Sequence, residues 1–171
     1  MDKILETERL YFREFKIEDA QLLIDLNSNP NVVRYTGDSA VKNLEEAKRI
    51  LTDIIFPQYL NKIGRWAVHL KSTDEFIGWC GLKYIADDNE IDLGYRFFEK
   101  HWGKGFATES ARAIMNYGIN TLKLKKIIAL ADKENTASIN VLKKLGMTYL
   151  EDDMCKHDPA EKYIFKQASN S

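Results

Sequence analysis

The apolar pattern of this chain changes period at residue 66, and that change limits the fold more than any other feature. Before it, residues 9–15 alternate and are rich in Leu, Tyr and Phe, as in a strand. Ile17, Ala20, Leu23 and Ile24 then follow helical spacing behind the acidic pair Glu18-Asp19, and Asn29-Pro30-Asn31 stops that helix. Residues 44–60 form a second helical stretch, bent or ended near Pro57. From there the period drops to two. Residues 66–70, 76–84 and 90–97 read as three strands, separated by Lys71-Ser72-Thr73-Asp74 and Asp87-Asp88-Asn89, in the manner of an antiparallel meander. Helical spacing returns after Gly105, where Ala107, Ala111, Ile114, Met115, Gly118 and Leu122 share one stripe.

Residues 126–132 then read as a strand with a five-residue apolar centre. A helix follows over 135–145, with Asn135 or Thr136 as N-cap and Gly146 as its stop, and two strands close the chain over 147–151 and 162–166. The strand-helix-strand-helix section requires a parallel crossover. The expected fold class is therefore α/β: a single domain with a mixed sheet of about six to seven strands, flanked by about four helices. At 171 residues one domain is expected over 1–167, followed by a flexible tail at 168–171.

Composition narrows the function by exclusion. With 44% hydrophobic and 30% charged residues, nine Gly and three Pro, the chain has ordinary globular composition. A formal net charge of -1 gives no broad positive field for nucleic acid or an anionic membrane, so neither is expected as a direct partner. Cys80 and Cys155 are too few for a disulfide framework, and Cys80 sits in an apolar run as a buried small residue would. The three histidines, at 69, 101 and 157, lack metal-ligand spacing, so no metal is expected. The opening Met-Asp-Lys-Ile-Leu-Glu has no apolar signal core, and the longest apolar run, 127–131, is too short to cross a bilayer. A cytoplasmic location is expected.

The chemistry-bearing segment is the passage from strand to helix at residues 90–112. Gly103 and Gly105 let the backbone approach a ligand closely and adopt positive φ. The helix start that follows leaves N–H groups unpaired at a positive dipole end, which suits a pyrophosphate, and Lys104 adds a cation. Alone, this turn is also compatible with an ordinary glycine loop and a solvated lysine. It is not a P-loop, and Thr108 stands where a dinucleotide fingerprint has its third glycine.

Its surroundings make the turn specific. Leu93-Gly94-Tyr95, followed by His101-Trp102-Gly103-Lys104-Gly105-Phe106-Ala107-Thr108-Glu109-Ser110, resembles the acetyl-CoA motif of the GNAT N-acetyltransferase superfamily, in its RimJ/RimL-like branch. Thr7-Glu8-Arg9-Leu10 with Arg13 resembles that branch's opening strand, and Ile77-Gly78 its central strand. The run from Asn135 through Ser138 to Gly146-Met147 resembles its later Asn-x-x-Ser helix. The first motif position, commonly Gln or Arg in the superfamily, is Trp102 here.

The resemblance implies an acyl-CoA N-acyltransferase fold with splayed fourth and fifth strands, the fourth being residues 91–97. It also implies transfer of acetyl from acetyl-CoA, with no metal, to a primary amine by direct attack in a ternary complex. The amine is a protein N-terminus or a small molecule, chosen by residues 27–64 and by the acidic 151–162 segment, which reads equally as a solvated turn. Leu93, Gly94, Tyr95, Trp102, Gly103, Lys104, Gly105, Phe106, Ala107, Thr108, Asn135 and Ser138 are the implied cofactor contacts. Ser138 is the implied acid, because Leu142 occupies the position where many superfamily members carry a tyrosine. Asp92 and Glu90, on one strand face, are the implied bases. Asn135 also serves as an N-cap on either reading. A non-catalytic acyl-CoA-binding domain is the alternative from a different class, and the assembly expected is a monomer or homodimer.

Overall fold

In the computed structural model, which describes residues 2–168, the period change at residue 66 separates an antiparallel meander from a helical half-cap. The strands are β1 (Leu5–Glu6), β2 (Leu10–Arg13), β3 (Arg65–Leu70), β4 (Phe76–Ile85), β5 (Glu90–Phe97), β6 (Lys126–Asp132), β7 (Thr148–Cys155) and β8 (Asp158–Lys166). They form one sheet in the order β1-β2-β3-β4-β5-β6-β8-β7. The helices are α1 (Ala20–Asn27), α2 (Pro30–Val33), α3 (Leu44–Ile50), α4 (Phe56–Tyr59), α5 (Phe106–Asn116) and α6 (Thr136–Lys144).

The sheet is covered on both faces, and each cover has its own apolar core. Trp66, Val68, Cys80, Leu82, Leu93 and Phe97 join Phe106, Ala111, Ile114 and Met115 of α5 in one core. Ala67 and Phe76, from the other face, join Phe15, Leu23, Leu26, Ala47 and Leu51 in a second. Of the expected stripe, Ala111, Ile114 and Met115 of α5 and Gly118 beyond it are buried, Ala107 and Leu122 are half-buried, and Cys80 is fully buried.

Local chemistry explains the irregular pieces. Asn43 caps α3 by accepting from the Glu46 N–H (2.9 Å). A wide turn at Leu51–Ile55 then carries the chain into α4. Pro57 lies in the first turn of α4; it has no N–H to donate and its ring crowds the carbonyl one turn back, and the wide turn falls directly before it.

Two details differ from the sequence reading. The sheet has eight strands, the additional one being the two-residue β1 beside β2. The closing hairpin is also longer, because the acidic stretch 151–158 pairs as strand up to a two-residue turn at Lys156-His157, with Lys156 at φ 56°.

The joint between β5 and β6 positions the site. β5 is fully paired to β4, from Gly78↔Phe97 to Ile85↔Glu90. Its parallel pairing with β6 consists of Asp92↔Ile128 alone. Beyond that point the two strands part, and the sheet opens into a V, as expected for residues 91–97 and the strand that follows them; β1 makes these the fifth and sixth strands.

Candidate active site

The glycine turn leaves β5 through a single helical turn at Glu99–His101 and enters α5 at Phe106. Gly103 and Gly105 have φ of 73° and 81°. A β-carbon built on Gly103 meets nothing within 4 Å, so its requirement is conformational and its surroundings are open. Helical geometry leaves the N–H groups of Phe106, Ala107 and Thr108 without carbonyls one turn back. The Trp102 indole donates to the Phe97 carbonyl (2.9 Å), so this side chain closes the turn onto the end of β5. The Lys104 carbonyl is held from behind by Arg9 (2.9 Å).

Alternation along β5 sends its chemistry to two faces. Asp92, Gly94 and Arg96 share one face with Arg65, Trp79 and Lys83, through the register Arg65↔Gly81↔Gly94, Trp79↔Arg96 and Lys83↔Asp92. Leu93, Tyr95 and Phe97 share the other, under α5 and α6.

On the first face Asp92 sits at the vertex of the V. Arg65 donates to its carboxylate (2.8 Å) and to the Asp92 and Gly81 carbonyls (3.2 and 2.7 Å). That guanidinium crosses Gly94: a β-carbon there lies 2.9 Å from Arg65 Nη2, so a side chain at this position requires Arg65 to shift. Burial pushes the Asp92 carboxyl above its ordinary range, while Arg65 and Lys83 pull it back. Glu90 shares this face but is held between Lys162 (2.9 Å) and Lys126 (3.5 Å). Those two ammoniums tie β5 to β8 and β6.

On the second face the Tyr95 hydroxyl donates to Ser138 Oγ (2.9 Å), and Asn135 Nδ2 donates to the same oxygen (3.0 Å). Asn135 Oδ1 accepts the Ser138 N–H (3.2 Å), so Asn135 caps α6 and orients Ser138 together. Among the described residues no acceptor meets the Ser138 hydroxyl hydrogen, and two incoming donors polarise it for donation. Burial pushes the Tyr95 phenol up to about 12, so it stays protonated. Leu142 is buried in the core.

The residues that sequence reasoning missed are those acting at long range. Arg65 opens β3, and nothing in its neighbourhood marks it as the partner of Asp92. Arg96 donates to Asn27 (2.5 Å) and Asp38 (2.7 Å), and Lys156 also pairs with Asp38. Cys155 Sγ approaches the Thr36 carbonyl at 3.7 Å. The two segments expected to select the acceptor thus touch each other beside β5. Trp79 lies between Arg65 and Arg96, 5.0 and 5.5 Å from their guanidinium carbons. The pairing of strands brings Arg65 to Asp92, and the loop folded over β5 brings Thr36 and Asp38 to Cys155, Lys156 and Arg96.

A sheet split after one parallel pair, with a glycine turn feeding a helix N-terminus, defines an acyltransferase architecture. Residues 9–148 match the family described as the acetyltransferase (GNAT) domain. An uncharacterised N-acetyltransferase of Bacillus licheniformis, p20, is 35% identical over 143 residues, covering 83% of this chain and 80% of that protein. The spermidine N(1)-acetyltransferase of Escherichia coli K12 is 27% identical over 145 residues, covering 80% and 71%. In fold, the chain resembles RimL, the ribosomal L7/L12 alpha-N-protein acetyltransferase solved with coenzyme A, at TM-score 0.83 and 15% identity, covering 97% and 98%. The chain belongs to the GNAT acetyltransferase family. It is an N-acetyltransferase, and its general reaction is acetyl transfer to an amine.

Proposed function

We propose that the acetyl donor is acetyl-CoA and that a primary amine, a protein N-terminal α-amine or a small-molecule amine, attacks it directly in a ternary complex. The observation that carries this reading is the placing of Asp92 and Ser138 on opposite faces of β5, where the strand loses its partner β6. A thioester lying along the open edge of β5 has a carboxylate on the acceptor side and a polarised hydroxyl on the other. The residues fit such a donor. Gly103 and Gly105 supply positive-φ backbone for the pyrophosphate, with Trp102, Lys104, Phe106, Ala107 and Thr108 completing the turn. The free edge of β5 around Leu93, Gly94 and Tyr95 supplies backbone groups for the pantetheine arm.

The thioester provides an activated acetyl carbon and a thiolate leaving group. Asp92 takes a proton from the incoming ammonium, directly or through water, and its burial-raised affinity for protons suits that task. Backbone N–H groups around Gly94 and Tyr95 stabilise the oxyanion as nitrogen attacks. Ser138 donates to the departing sulfur, held in place by Asn135 and Tyr95. Glu90 fixes the base of β5 through Lys162 and Lys126. The free thiols Cys80 and Cys155 suit a reducing, cytoplasmic setting.

The test is thiol release from acetyl-CoA against a panel of polyamines, amino acids and short peptides with free N-termini. Release that requires one acceptor class, with that acceptor gaining one acetyl group and double-reciprocal lines that intersect, is the expected result. Tight coenzyme A binding without release on any acceptor identifies a binding module instead. Parallel lines with an acetylated enzyme remove direct attack.

A further inference from the structure

Arg9 is distant in sequence from the glycine turn, yet it grips that turn at three points. Its Nη1 donates to the Lys104 carbonyl (2.9 Å) and its Nε to Glu109 Oε2 (2.7 Å). Its guanidinium carbon lies 4.3 Å from the centre of the Phe106 ring. The other Glu109 oxygen accepts the Arg9 backbone N–H (2.9 Å) and the Thr7 hydroxyl (2.6 Å).

Both polar contacts bear on anion binding. Glu109 is the fourth residue of α5, so its charge stands in the first turn of the helix whose N-terminus must receive a pyrophosphate. Left alone, that carboxylate repels the ligand and competes for the helix end. Three donor groups, one of them cationic, draw its charge toward the β1–β2 corner. The Lys104 contact acts through geometry. In a trans peptide the carbonyl and the next N–H point in opposite directions, so a carbonyl pulled toward Arg9 turns the Gly105 N–H away from it. The Gly105 φ of 81° places this N–H at the entrance of α5.

We infer that Arg9 is a positioning residue for the pyrophosphate of the acetyl donor, acting through the Lys104 carbonyl and the Glu109 carboxylate. This rests on the acetyl-CoA reading above. It explains why a cation from the opening strands reaches across to a turn whose own lysine, Lys104, contributes its backbone to the same grip.

The test compares Arg9→Gln, Arg9→Lys and the double variant Arg9→Gln/Glu109→Gln with the wild type, using acetyl-CoA, acetyl-dephospho-CoA and S-acetylpantetheine. The last lacks the pyrophosphate. Arg9→Gln is expected to raise KM for the two pyrophosphate donors about tenfold, since a charge-assisted contact and a neutralised repulsion are both lost. The expected kcat and S-acetylpantetheine KM stay within about twofold. The double variant recovers at least about threefold of the lost KM, because the exposed carboxylate is gone. Arg9→Lys falls between, and is judged by the same ratios if Arg9→Gln does not fold. Equal losses on all three donors, a change in kcat alone, or a double variant no better than the single one each overturn the assignment. If the wild type turns over no acetyl-CoA, the functional reading fails; the ratio of coenzyme A to pantetheine dissociation constants then judges Arg9 separately.

Discussion

The glycine turn and the vertex of the V, at opposite ends of β5, are built on different plans. The turn offers backbone groups from a single short stretch, which distant Arg9 grips from behind and the Trp102 indole fastens to the nearby Phe97 carbonyl. The vertex offers side chains collected from β3, β5 and α6, and exists only because β6 leaves β5 after one pair. The first holds a charge by shape. The second handles protons, which requires groups whose affinities are set by burial and by one another. Lesions in the turn should therefore change donor affinity, and lesions at the vertex should change turnover or the integrity of the buried pair.

The largest effect expected is at Arg65. Its pair with Asp92 is about 15% exposed on each side, 16% and 15% respectively. Arg65→Leu leaves a buried carboxylate unpaired and should cost about 3 kcal/mol in urea unfolding near neutral pH. Burial already places the native Asp92 pKa above its ordinary value. An acid with a raised native pKa costs stability above that pKa, and the cost is relieved as pH falls through it. Without Arg65 the native pKa rises further, so the deficit of Arg65→Leu against wild type should shrink as pH falls from neutrality toward the ordinary carboxylate range. Adding Asp92→Asn should remove most of that deficit at all pH values. A deficit that stays flat with pH and survives Asp92→Asn means that packing on Trp79, rather than charge pairing, is what Arg65 supplies.

Next in size is Ser138→Ala. Loss of a positioned acid should lower kcat about a hundredfold while leaving KM for acetyl-CoA within about threefold. The opposite pattern, a large KM rise at normal kcat, would move Ser138 from the reacting end to the holding end and blur the contrast between the two regions.

The legibility of the two regions differs for the same reason their construction does. Trp102 to Thr108 is contiguous, so glycine spacing and a helix start already suggest a phosphate turn. Asn135 and Ser138 are three residues apart, and an N-cap reading predicts their mutual bonding, which the structure contains. The meander, the parallel crossover and the buried stripe of α5 follow from periodicity. What periodicity cannot reach is register. Arg65 meets Asp92 because β3, β4 and β5 align at Gly81 and Gly94, and Arg96 meets Asp38 because a loop folds over β5. Glu90 illustrates the limit from the other side. Its place beside Asp92 on the strand is readable, but the two lysines that occupy it come from β6 and β8. The long closing hairpin was hidden because its acidic residues resemble a solvated turn, while their pairing partners lie on the adjoining strand.

The smallest of the three effects sharpens the comparison most, because it changes shape without changing charge. Gly105→Ala places a β-carbon 3.4 Å from Arg9 Nη2, an ordinary contact, so crowding is not the main cost. The cost is the φ of 81°, where an alanine is strained by about 1–2 kcal/mol. Relief of that strain rotates the Gly105 and Phe106 N–H groups away from the ligand. KM for acetyl-CoA should rise roughly three- to tenfold, with kcat unchanged, since Asp92 on β5 and Ser138 on α6 act away from the turn. S-acetylpantetheine, which makes no demand on the turn, should show no change in either constant. If Gly105→Ala instead lowers kcat with both donors, the turn and the vertex are mechanically coupled through β5, and the division between holding and reacting ends does not describe this enzyme.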